Sequence, residues 1–146
     1  MARALKDIVT NWGEHHGVAP EPDDLGRHVL TFDGAQEVFV SQVGSKVILE
    51  APLGPIPTRR DQAEPLLERL LSLQLARVAE TPSTLALSEE HDALVVICTC
   101  DADDITIAKY EEILEDVVNA AAFWVKQMKS SPVDGAPPPR VQMMFP

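Results

Sequence analysis

Residues 63–78 read AEPLLERLLSLQLARV, and the spread of leucines in this stretch decides how the chain is organised. At 100° per residue Leu66, Leu67, Leu70, Leu71, Leu73, Leu75 and Val78 cover roughly a 200° arc, against the ~100° stripe of an ordinary surface helix. Only Glu68, Arg69 and Ser72 hold a polar face, although Gln74 and Arg77 fall inside the apolar arc. A helix apolar over that much of its circumference needs two things to pack against. In a short chain the second is another subunit or, alternatively, the remainder of one domain wrapped around a central helix. The start of this helix has two readings: Pro65 suits a first helical position after Glu64, and Asp61 is a possible cap.

Working outward toward the N-terminus, Pro52, Pro55 and Pro57 lack the N–H that strand pairing needs and stop the preceding β-type run. That run, Lys46 to Leu53, alternates Val47, Leu49 and Ala51 with Ile48 and Glu50. Before it lie Glu37 to Val43 and His28 to Phe32, joined through Asp33-Gly34, a dipeptide that supplies the positive φ angles of a tight hairpin. Together the three runs predict an antiparallel meander. Ala19 to Asp24, with two prolines and three acids, reads as an exposed connector. Ala2 to His16 carries Leu5, Ile8, Val9 and Trp12 at the spacing of an amphipathic helix, with His15 and His16 at its C-terminus and Gly17 placed to end it.

Toward the C-terminus, Pro82 closes the leucine helix, and Thr84 to Leu87 and Ala93 to Cys100 form a second pair of strands around the polar turn Ser88 to Asp92. Leu94 to Cys100 is apolar on both faces apart from Thr99, as expected of a strand in the middle of a packed structure. A long helical pattern follows, with Tyr110, Ile113, Leu114, Val117, Ala121, Trp124, Val125 and Met128 on one side and acids before bases along its length. From Ser130 the chain thins to Ser, Gly and Pro, which predicts a mobile Pro-rich tail over 130–146 after a single domain over 1–129. The order α-β-β-β-α-β-β-α predicts an α+β fold, an antiparallel twisted sheet packed with helices.

A net charge of −11 repels phosphate backbones and makes nucleic acid an unsuitable partner. The N-terminal stretch has charges among its apolar residues and no continuous apolar run, so neither a signal peptide nor membrane insertion is expected, and the protein reads as cytoplasmic. Cys98 and Cys100 alternate on one strand face and read as buried structural thiols, with no ligand pattern around them for a metal. The cluster Asp101, Asp103 and Asp104 lacks the glycine of a calcium loop, since position 106 is Thr106, and reads as a helix cap. No nucleophile elbow or phosphate-binding glycine loop occurs, so neither a catalytic residue nor a cofactor is expected.

Four local features carry a resemblance to the class I type III secretion chaperones, the Tir-chaperone (CesT-like) family. They are the first helix ending at His16-Gly17-Val18, Leu30-Thr31-Phe32-Asp33 with the Val38 to Val40 strand, Val47-Ile48-Leu49-Glu50-Ala51-Pro52-Leu53-Gly54, and Ala122-Phe123-Trp124 in the last helix. The resemblance implies a homodimer without enzymatic activity. It would bind the N-terminal chaperone-binding segment of a secreted effector, keep it soluble, and present it to the export apparatus and its ATPase. It further implies dimerisation through the middle helix and the strands after it, on Leu67, Leu71, Leu75, Val78, Leu85 and Leu87. For the effector groove it points to helix one and the exposed side of the meander: Leu5, Ile8, Trp12, Val38, Val40 and Ile48. Each of these six has core packing as its alternative, because helix one has a single apolar face to spend. A regulatory or sensory protein on the same fold is the alternative function.

Overall fold

The computed structural model describes residues 5–24, 26–32, 36–90 and 92–129, so the Asp33-Gly34 turn and the Pro-rich tail fall outside the described residues. The elements are α1 (Leu5–His16), β1 (Glu21–Pro22), β2 (His28–Phe32), β3 (Gln36–Val43), β4 (Lys46–Gly54), α2 (Arg60–Arg77), β5 (Thr84–Ser88), β6 (Ala93–Asp101) and α3 (Ile107–Lys129). A 3-10 turn, Ala102–Asp104, links β6 to α3. The expected α+β order holds, with one strand added in the segment read as a connector. β1 is only two residues long and pairs with β2, Glu21 opposite Val29 and Pro22 opposite His28. A proline is tolerated there because β1 is an edge strand. The carboxylate of Asp23 shapes the return, accepting bonds from the Arg27 amide (2.8 Å) and Nε (2.7 Å).

All strands pair antiparallel, in the order β1-β2-β3-β4-β6-β5. The meander and the second hairpin are therefore joined by β4 against β6, Val47 opposite Cys100 and Leu49 opposite Cys98. Strand alternation sends Val38, Val40, Val47, Leu49, Ala51, Val96 and Cys98 to one face, all buried. α3 covers that face with Tyr110, Ile113, Leu114, Val117, Ala121 and Trp124, and α1 packs beside α3 with Leu5, Ile8, Val9 and Trp12. Ring contacts tie the layers together: Trp12 meets Tyr110 edge-on at 5.8 Å between centroids and Phe32 at 6.2 Å.

Two expected caps are corrected. The Asp101 cluster does not cap α3; the Thr106 hydroxyl accepts from the Lys109 amide at 3.0 Å, and Asp101 instead pairs with Lys46 at 2.7 Å. α2 begins at Arg60, and Pro65 sits inside it, removing the amide that would bond the Asp61 carbonyl. The leucine periodicity carries the helix through this gap, supported by an ion pair one turn apart between Arg60 and Glu64.

α1 ends as expected at Gly17, whose φ of +70° lets the Val18 amide fold back and donate to the Gly13 carbonyl at 3.1 Å. The chain then passes so close to Gly13 that a Cβ there would lie 2.2 Å from the Val18 oxygen. Gly13→Ala should accordingly destabilise the protein by about 2 kcal/mol, against the usual helix gain of alanine over glycine, as read from the midpoint of a urea unfolding curve.

Both thiols lie on the α3 side of β6, as strand alternation requires, with Cys98 buried and Cys100 half-buried. Burial pushes the Cys98 thiol up to about 11, with the Asp116 carboxylate adding to the rise, and burial also raises Cys100. A raised thiol pKa keeps the unreactive protonated form through neutral pH. Cys98 should therefore alkylate at pH 8 about 100-fold more slowly than a model thiol, its rate climbing with pH toward 11 and becoming ordinary in denaturant.

Candidate functional site

The apolar arc of α2 is only partly used by its own chain. Leu70 is buried, Leu66, Leu67 and Leu73 are half-buried, and Leu71, Leu75 and Val78 remain 60%, 60% and 56% exposed. These last three follow i, i+4, i+7 spacing and form one stripe. Leu87 on the edge strand β5 is exposed as well, at 62%. Exposed leucines scattered singly need no explanation, but a helical stripe of three facing water does.

Polar contacts fix this stripe in place. Gln74 Oε1 accepts from the Leu85 amide at 3.1 Å, tying α2 to the outer edge of β5. Arg69 donates to the Gln127 carbonyl at 2.6 Å, and the Arg77 guanidinium lies 4.0 Å from the centroid of the Phe123 ring. α2 is thus held against the C-terminal part of α3 while keeping one apolar stripe outward. Its charges are nearly balanced: Arg59, Arg60, Arg69 and Arg77 face Asp61, Glu64 and Glu68 in a chain of net charge −11. The local charge of this helix is therefore close to neutral.

Of the residues picked out for dimerisation, Leu71, Leu75, Val78 and Leu87 are exposed and Leu67 is half-buried, while Leu85 is buried beneath α2 and offers no surface. The groove residues need a larger correction. Leu5, Ile8, Trp12, Val38 and Val40 are all core residues, and only Ile48 keeps accessible surface. The reason is geometric: α1 has one apolar face, and packing on α3 and the sheet consumes it. Ile48 lies on the opposite face of the sheet, where register places it with half-buried Val29, Phe39 and Ile97. On that face the Arg27 guanidinium sits 4.7 Å from the Phe39 centroid and bridges Asp23 and Glu90. Sequence reasoning missed this clasp, because its partners are 63 residues apart.

His15 and His16 stand at the end of α1 as expected. Each ring Nδ1 lies 2.9 Å from the carbonyl four residues back, and His16 stacks on Trp12 with its Nε2 3.2 Å from Glu111. Among the described residues no group of three or more His, Cys, Asp or Glu side chains is arranged to hold a metal ion. None of the described helices is long and apolar enough to cross a membrane.

A search of the curated proteins finds no match to this sequence. Solved structures share the fold at low identity. The ExsC–ExsE complex contains a chain 16% identical with a TM-score of 0.68, covering 87% of this chain and 96% of that one. The HopA1–SchA chaperone–effector complex gives 13% identity and a TM-score of 0.65, covering 83% and 92%. YbjN, a proposed transcription regulator from E. coli, gives 11% and 0.63, covering 86% and 92%. The model of the Tir chaperone protein (CesT) family matches residues 7–125, and with most of its length matched this chain belongs to that family.

Proposed function

We propose that this protein is a cytoplasmic type III secretion chaperone. It dimerises through the outward stripe of α2 and holds the N-terminal segment of a secreted effector in a soluble, export-competent state. The observation that carries the reading is the family match over 7–125, joined to an α2 stripe that one chain leaves uncovered. Solved relatives of the fold include a chaperone seated on its effector.

The physical case is consistent. An export client must stay partly unfolded, and its apolar anchors aggregate unless another surface masks them. Two copies joined along Leu71, Leu75 and Val78 would bury about 1.5 kcal/mol or more for each leucine withdrawn from water. The dimer would also double the surface available to an extended client. Ile48 and its neighbours on the open sheet face are the apolar contacts left for that client, since α1 has none to spare. The acidic chain would steer a basic client segment and stay soluble while doing so. Handover to the export ATPase belongs to the same reading. The chemistry is that of binding, with no catalytic step.

The alternative, a regulatory protein on the same fold, draws on the likeness to YbjN. Affinity capture from the native bacterium under secretion-inducing conditions separates the two: a secreted protein whose first hundred or so residues suffice for capture supports the chaperone, and regulators alone support the alternative.

At the interface, Leu71→Asp with Leu75→Asp should convert the dimer to monomer by sedimentation, because a charge would enter the apolar contact unpaired. Val43→Asp, also on an exposed residue but distant from α2 in the chain, should leave the dimer intact. A dimer that survives the double change would place the contact elsewhere. On the client side, Ile48→Glu should reduce capture of the effector by about tenfold while the dimer persists, the loss expected for one buried aliphatic anchor.

A further inference from the structure

Residues 5–129 leave the stripe of Leu71, Leu75 and Val78 facing water, and such a stripe invites non-specific association in any copy that has no partner. Glu68 stands one turn before Leu71 and extends the same line along α2, at i, i+3, i+7 and i+10. It is exposed and forms no salt bridge among the described residues. The line therefore runs from one acid to three apolar side chains over about 15 Å of helix.

The chain leaves α3 beside this line. α3 ends at Lys129, and the Gln127 carbonyl, two residues earlier, accepts from the Arg69 guanidinium at 2.6 Å. Residues 130–146 then read SSPVDGAPPPRVQMMFP. Ser130 to Pro139 is a spacer with four prolines, and at about 3.1 Å per residue it can reach up to roughly 30 Å, well beyond the width of one helix. After the spacer comes Arg140, then Val141, Met143, Met144 and Phe145, one cation followed by four apolar side chains. This order complements that of the α2 line, base to acid and apolar to apolar. Methionine, unbranched and polarisable, fills the irregular gaps between leucines on a helix surface.

We propose that Val141, Met143, Met144 and Phe145 cover the α2 stripe of their own chain, with Arg140 against Glu68, until a second copy takes their place. A tether of this length holds the apolar box at an effective concentration on the order of millimolar, so a second copy displaces it only by binding well below that level. The box thereby sets the protein concentration at which the dimer forms and keeps an unpaired copy soluble. That a second copy displaces it rests on the dimer of the chaperone reading above; the contact within one chain does not.

The test uses the full chain with the photoreactive residue benzoylphenylalanine in place of Phe145. Isotopically heavy and light copies are mixed at sub-micromolar concentration and irradiated, and the cross-links are mapped by mass spectrometry. They should fall on α2 between Glu68 and Val78 and never join a heavy copy to a light one. Leu71→Asp with Leu75→Asp should abolish them. Arg140→Glu should lower their yield about threefold, and Glu68→Arg in the same chain should restore it. Replacing Met143, Met144 and Phe145 by serine should tighten self-association about tenfold by sedimentation, since the competitor for the stripe is gone. Cross-links that miss α2 would overturn the proposal, as would cross-links between heavy and light copies, which would seat the box on a second chain. A cross-link within one chain, with self-association unchanged by the serine variant, keeps the cover and loses the α2 dimer. A dimer broken by Leu71→Asp with Leu75→Asp, but with no cross-link on α2, keeps the dimer and loses the cover.

Discussion

The pairing of β4 with β6 is the interaction on which the rest of the structure depends. It joins a local meander to a local hairpin across the α2 connection, with partners from Lys46 opposite Asp101 to Gly54 opposite Leu94. Once it forms, the inward residues of four central strands lie on one continuous face, broad enough for the 23-residue α3 to cover. It also sends β5 to the sheet edge, with α2 held against that edge through Gln74.

The three helices divide the apolar surface unequally. α1 and α3 spend their faces on the sheet and on each other, and their buried residues are those of ordinary amphipathic helices. α2 buries Leu70 alone and is fixed chiefly by polar and cation–π contacts from Arg69, Gln74 and Arg77. Such contacts set a helix's position without covering it. The outcome is an apolar stripe that the described residues leave exposed, in a fold shared with structures solved as complexes. The chain as a whole is strongly acidic, whereas the charges along α2 are nearly balanced.

Much of this was legible in the residues themselves. Period-two alternation in β3 and β4, period-3.6 patterning in α1 and α3, Gly17 as a helix stop and the excess arc of α2 all encode local geometry, and each was found where its pattern lies. The misreadings fall where two segments compete for one surface. Leu5, Ile8, Trp12, Val38 and Val40 are apolar, and nothing in their spacing distinguishes a face that meets a partner from one that meets α3. Likewise Asp101 is as good a capping residue as Thr106 until the chain path pairs it with Lys46.

By itself, then, the sequence determined every element except the short edge strand β1 and the 3-10 turn, together with their amphipathic faces, the family and the existence of an apolar surplus on α2, because these depend on neighbours a few residues apart. Tertiary structure alone decided which side of α2 faces water, that β6 joins β4 with β5 on the outside, and that Arg27 reaches Glu90. Each of these depends on strand order and register, which are set by contacts between residues tens of positions apart and leave no periodic trace along the chain.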